Sequence, residues 1–155
     1  MQAKRISELP GQQQYVLVFD KEDEFVAELR RFAEEKNLQS SAFTGIGAFK
    51  QATLGFFDRE QMDYLKIPVE EQVEVLSLVG NIAMKDGKPK VHAHVVVGDR
   101  NGRTQGGHIL EAHVWPTLEL VVTEAPKPLR RHTDPETGLA LINLTEDQKT
   151  AVRPI

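Results

Sequence analysis

Two histidines two residues apart, His92 and His94, are the part of this sequence with the clearest chemical potential. In an extended chain alternate residues share a face, so both imidazoles point one way while Val91, Ala93 and Val95 point the other. Such a pair lies ~6–7 Å apart along a strand and can converge on one cation. A third, His108, follows Gly106-Gly107, where the backbone is free to turn sharply and bring another imidazole in from a neighbouring segment. Three neutral imidazoles with an open fourth position describe an exchangeable or catalytic-type zinc site. The same spacing suits sheet residues bonded to their neighbours or facing an interface, and the spacing alone leaves both open. If an ion is held, acidification through the unperturbed histidine pKa of about 6.5 is expected to release it.

The sequence contains no cysteine, so thiolate ligands, disulfides and a cysteine nucleophile are excluded and any metal falls to His, Asp or Glu. Glu111, just past His108, and Glu119, further on, are candidates to support the site or act as general base. A solvent-facing sheet position is the alternative for each. His113, beside Val114-Trp115-Pro116, and His132, after Arg130-Arg131, read as surface or packing residues, and Trp115 as a core or interface aromatic. Ser77 lacks a nucleophile-elbow context. Gly45 and Gly47 lack both the third glycine of a dinucleotide loop and the Lys-Ser/Thr of a P-loop, so a bulge or tight turn is expected there. No catalytic residue is assigned.

These residues need a sheet to hold them. Tyr15–Phe19 reads as a strand after the turn-forming Pro10-Gly11. Asp20 is the expected N-cap of a helix whose apolar stripe is Phe25, Val26, Leu29, Phe32 and Ala33, ending near Asn37. Ala42–Phe49 and Ala52–Phe57 read as two short strands broken by glycine. Val73–Met84 and Pro89–Gly98 form a hairpin about Asp86-Gly87, with Lys85, Lys88 and Lys90 as a solubilising tip. Asn101-Gly102 turns the chain before Thr104, and Leu118–Val122 is a further strand. Pro126 and Pro128 mark a linker. Beyond it come a turn at Asp134–Gly138, a short strand at Leu139–Leu144 and a polar tail, Thr145–Ile155, expected to fray. One helix among hairpins implies an α+β domain with a largely antiparallel sheet, over residues 1–128, and a C-terminal extension, 129–155, packed on it or partly disordered.

With 155 residues, 40% hydrophobic and 27% charged, the chain suits one compact domain and not a disordered one. A net charge of -4 is the wrong sign for a general nucleic-acid binder. No apolar run approaches the ~20 residues of a membrane span, and no secretory leader is visible, which fits a cytoplasmic protein. An uncovered sheet face carrying Phe56, Leu76 or Val121 is expected to be buried by identical subunits.

Thr44-Gly45-Ile46-Gly47-Ala48-Phe49, Leu76–Ile82, Gly87-Lys88-Pro89-Lys90-Val91-His92-Ala93-His94 and Gly106-Gly107-His108, in this order, resemble the plants-and-prokaryotes conserved (PPC) domain. The resemblance covers about Tyr15 to Glu124. It implies an antiparallel sheet with a flanking helix, a homotrimer, and a metal, usually zinc or another divalent ion, on His92, His94 and His108. Plant members place an Arg-Gly-Arg-Pro minor-groove reader before the domain and recruit transcription factors through Gly-Arg-Phe-Glu-Ile-Leu. This sequence has only Lys4-Arg5 and Glu71-Gln72-Val73-Glu74-Val75-Leu76 in their places. Two functions follow: a non-enzymatic assembly or regulatory module, DNA-associated at most, or a metal-dependent enzyme acting on a small molecule through a three-histidine site. A protein carboxylate closing the fourth position favours the first, and a water or ligand beside a roomy pocket the second.

Overall fold

The computed structural model describes residues 1–7 and 11–144. Strand β1 (Gln2–Ser7) pairs with β2 (Gln13–Phe19), in which Tyr15, Leu17 and Phe19 alternate inward. Helix α1 (Phe25–Glu35) buries Phe25, Leu29, Phe32 and Ala33, the expected stripe. Its N-cap is Glu24, not Asp20, because Asp20 to Asp23 first make a turn with Glu22 at positive φ. The Glu24 carboxylate then accepts the Val26 and Ala27 N–H groups at 3.1 and 2.6 Å, satisfying two donors a helix start leaves open. Asn37, at φ 53°, ends the helix as expected.

What reads as two strands is one, β3 (Ser40–Asp58), that runs through its glycines. The ladder shifts register between Gly45 and Gly47 and again after Gly47, so these are bulges within a continuous strand. Gly47 has φ 152°, and a Cβ there would lie 2.4 Å from the Thr117 carbonyl oxygen. It is glycine because another strand's backbone passes beside it, not because the strand ends.

β4 (Asp63–Val69) is an edge strand on the second half of β3, where its proline is tolerated. β5 (Val73–Lys85) and β6 (Lys88–Gly98) form the expected hairpin, with Asp86 and Gly87 both at positive φ. β7 (Thr104–Glu124) is a single strand of 21 residues, of which the sequence suggested only the end. β8 (Arg130–Thr133) and β9 (Ala140–Asn143) form a last hairpin, joined to β5 by a parallel contact at Met84 and Arg130. The expectation for Thr145–Ile155 lies outside the described residues, as does Pro10.

The sheet order is β1-β2-β7-β3-β5-β8-β9, with β4 on β3 and β6 bridging β5 and β7. Strands β3, β5, β6 and β7 therefore close on themselves, and apart from the β5–β8 contact every pairing is antiparallel. The core lies under α1, where the Phe25 ring meets Phe19, Phe43 and Phe49 at centroid distances of 5.7, 6.3 and 6.4 Å. The opposite face of the strands stays uncovered: Leu76 and Val121 are 52% and 40% exposed, alongside Ile46, Val79 and Val96, whereas Phe56, 61% exposed, lies on the face of the buried Leu54 two residues earlier.

Candidate metal centre

His92 and His94 project from one face of β6, as the two-residue period requires, and His94 lies directly opposite His108 in the β6–β7 ladder. The Nε2 atoms of His92 and His94 are 3.1 Å apart, and the three ring centroids lie 5.1, 5.1 and 5.3 Å from one another. One nitrogen from each ring falls within 4.8 Å of both others. Nitrogens bound at 2.0–2.1 Å in tetrahedral geometry stand about 3.4 Å apart, so small ring rotations would suffice to meet on one ion. His108 Nδ1 is buried with no hydrogen-bond partner, which fits an atom whose lone pair is reserved for a ligand.

Gly106 and Gly107 do not turn the chain; both lie inside β7. A Cβ on Gly106 would sit 2.6 Å from the Val95 carbonyl oxygen, and one on Gly107 2.9 Å from that of Gly55. Their missing side chains let β7 lie close against β6 and β3, and this close approach places His108. The Tyr64 ring, from β4, stacks on His108 at 4.8 Å with the planes 28° apart and holds the imidazole's orientation. Burial raises the Tyr64 pKa. Sequence reading missed this contact because β4 is short, has no strict apolar–polar alternation and contains Pro68.

In-register positions share a face, and Val121, Thr44, Val79, His94 and His108 form one such row across β7, β3, β5, β6 and back to β7. The histidines thus stand on the uncovered face with the exposed apolar residues. Glu111 and Glu119 do not join them. Glu111 Oε1 is 3.0 Å from His113 Nε2, and Glu119 lies further along β7, opposite Val18 and Ile46. Among the described residues no carboxylate belongs to the group. His132 lies in β8, and Trp115 is partly exposed with Lys21 Nζ 4.5 Å over its ring.

The local field disfavours imidazolium. Burial, then the charges of Arg131, His94 and Lys90, lower the His92 pKa. Burial, then His92, His94 and Lys90, bring His108 down to about 4. Protons therefore compete for the His92 and His108 nitrogens only in more acid solution than the unperturbed value suggests. We expect metal to be retained at pH ~6 and lost toward pH ~4. Elemental analysis after dialysis across that range checks this, and half-loss at or above pH ~6.5 contradicts it. The same shift acts on the metal-free protein. The unfolded chain takes up the His108 proton first, so stability is lost as pH falls from 6.5 toward about 4.

The chain belongs to the Plants and Prokaryotes Conserved (PCC) domain family, whose model matches residues 6–126. It is similar to the metal-containing protein from Archaeoglobus fulgidus, 33% identical with a TM-score of 0.80, over 90% of this chain and 99% of that one. A protein from Ralstonia eutropha JMP134, named for a suspected DNA-binding role, is 32% identical with a TM-score of 0.81, over 91% and 96% of the two chains. The Bifunctional protein GlmU of Synechococcus sp. (strain JA-3-3Ab) is 37% identical over 114 residues, which are 72% of this chain and 17% of that protein. The chain thus spans about a sixth of the curated relatives it matches. No helix among the described residues is long and apolar enough to cross a membrane.

Proposed function

We propose that this chain is a metal-binding assembly or regulatory module, homotrimeric, with a divalent ion, zinc in the first instance, on His92, His94 and His108. The observation that carries this reading is the convergence of three imidazole nitrogens within 4.8 Å of one another, with His108 Nδ1 otherwise unpartnered. The metal content of the Archaeoglobus fulgidus relative supports it. When bound, such an ion would organise the β6–β7 junction and offer one further coordination position. The alternative, an enzyme in which that position presents an activated water, needs a nearby group to take the proton. The Glu111 carboxylate is instead paired with His113. The match to a small part of a longer bifunctional protein also suits a module attached to other machinery.

Assembly follows from the uncovered face. Burying Leu76, Val79 and Val121 against identical subunits would remove exposed apolar surface from water, at roughly 25 cal/mol per Å². Light scattering should give a mass three times the 17.4 kDa of the chain. A concentration-independent 17.4 kDa species contradicts the trimer. DNA association is at most weak. With a net charge of -4, duplex binding at physiological salt should show no sequence preference, since phosphate neutralisation supplies most such affinity. Tight, sequence-selective retention in a gel shift at that salt would reverse this part of the account.

A further inference from the structure

Arg131, from the β8–β9 hairpin, is 6% exposed. Its Nη1 donates to the Ala140 carbonyl at 2.8 Å, its Nη2 donates to the Asn81 side-chain oxygen, and its Nε is buried without a partner. No carboxylate among the described residues pairs with it. Burying a guanidinium without an anion costs several kcal/mol in desolvation, and a neutral amide could donate to the same two acceptors. The charge therefore has no counterpart within the described fold.

Its position suggests where the counterpart sits. Asn81 is the in-register partner of His92, so the guanidinium stands one side chain behind the histidine group. Lys90, two residues before His92, shares that face of β6 and is exposed. Lys66, on β4, lies opposite Gly55, which in turn lies opposite His108. The acidic side chain nearest along β7, Glu111, is held by His113. The surroundings of three neutral imidazoles are thus positive before any ion arrives, and a divalent cation makes them more so.

We propose that the open position at the histidine group is an oxyanion site, in which an ion held by His92, His94 and His108 takes a carboxylate or phosphate oxygen as its further ligand and Arg131 and Lys90 balance the charge. This rests on the metal reading above and adds the chemical class of the ligand. Lys90, exposed and on the histidine face, is suited to touch the anion; Arg131 acts from behind Asn81 as a positioning charge. A neutral ligand at the same position would leave the two cations and the metal uncompensated.

Cobalt(II) separates the two claims, because its visible bands report both loading and the identity of the fourth ligand. The full-length chain, stripped and reloaded with cobalt, is titrated at constant ionic strength with acetate and, separately, inorganic phosphate. Saturable band shifts are expected with at least one of them, and the tighter one identifies the oxyanion preferred. Lys90→Gln and Arg131→Gln should each weaken that binding about 5-fold, the order expected for a unit charge within about 10 Å at intermediate dielectric. Arg131→Lys should retain most of it. Lys90→Gln changes an exposed side chain, so it tests the proposal even if Arg131→Gln does not fold. Bands that load normally but ignore both anions, or that respond equally in wild type and Lys90→Gln, overturn the oxyanion site and leave the metal reading standing. Bands that never appear overturn both.

Discussion

His94→Ala is expected to lower zinc affinity by more than about 100-fold while leaving the metal-free fold intact. Even partners that only orient a metal ligand are worth roughly 10–100-fold, and His94 is one of the three proposed ligands, with no carboxylate in the group among the described residues. It is exposed and on the opposite face of β6 from the buried Ala93 and Val95, so truncation opens no cavity in the core. Competition with a chromophoric chelator gives the affinity, and far-ultraviolet circular dichroism reports the fold. His132→Ala, on the β8–β9 hairpin, should leave affinity unchanged. Equal losses in the two variants would return the three histidines to the role of sheet residues satisfied by their neighbours.

Phe25→Ala carries the largest expected cost in stability. The ring is fully buried, joins α1 to β2 and β3 through Phe19, Phe43 and Phe49, and is the first residue of the only helix among the described residues. Removing it should cost about 3–5 kcal/mol, from lost burial plus the cavity left between rigid strands. A domain whose total stability is about 5–15 kcal/mol would then be close to unfolding. Urea denaturation of the metal-free protein measures this. A loss below about 1 kcal/mol would mean that the core collapses around the gap, against the packing described.

The sequence made the helix stripe, the β5–β6 hairpin and the histidine spacing legible because each rests on local rules: a 3.6-residue period, two positive-φ turn residues and a two-residue alternation. What it obscured depended on distant neighbours. Gly45, Gly47, Gly106 and Gly107 look like breakers along the chain, yet they lie within long strands where other backbones press close. β8 is short and polar, and β4 is short with no clean alternation and a proline, so Arg131 and Tyr64 had no regular pattern to mark them. The helix cap moved from Asp20 to Glu24 because an intervening turn could not be read from acidic residues alone. Glu111 seemed close to His108 in sequence, but its partner is His113.

The central claim is that His92, His94 and His108 hold an ion. The most direct measurement is the metal content of wild-type protein purified without chelator, supplied with zinc and desalted at neutral pH, by elemental analysis against protein concentration. One ion per chain is the result predicted, falling to near zero in His94→Ala prepared alongside. Wild-type protein that emerges from this treatment with no bound metal would contradict the account.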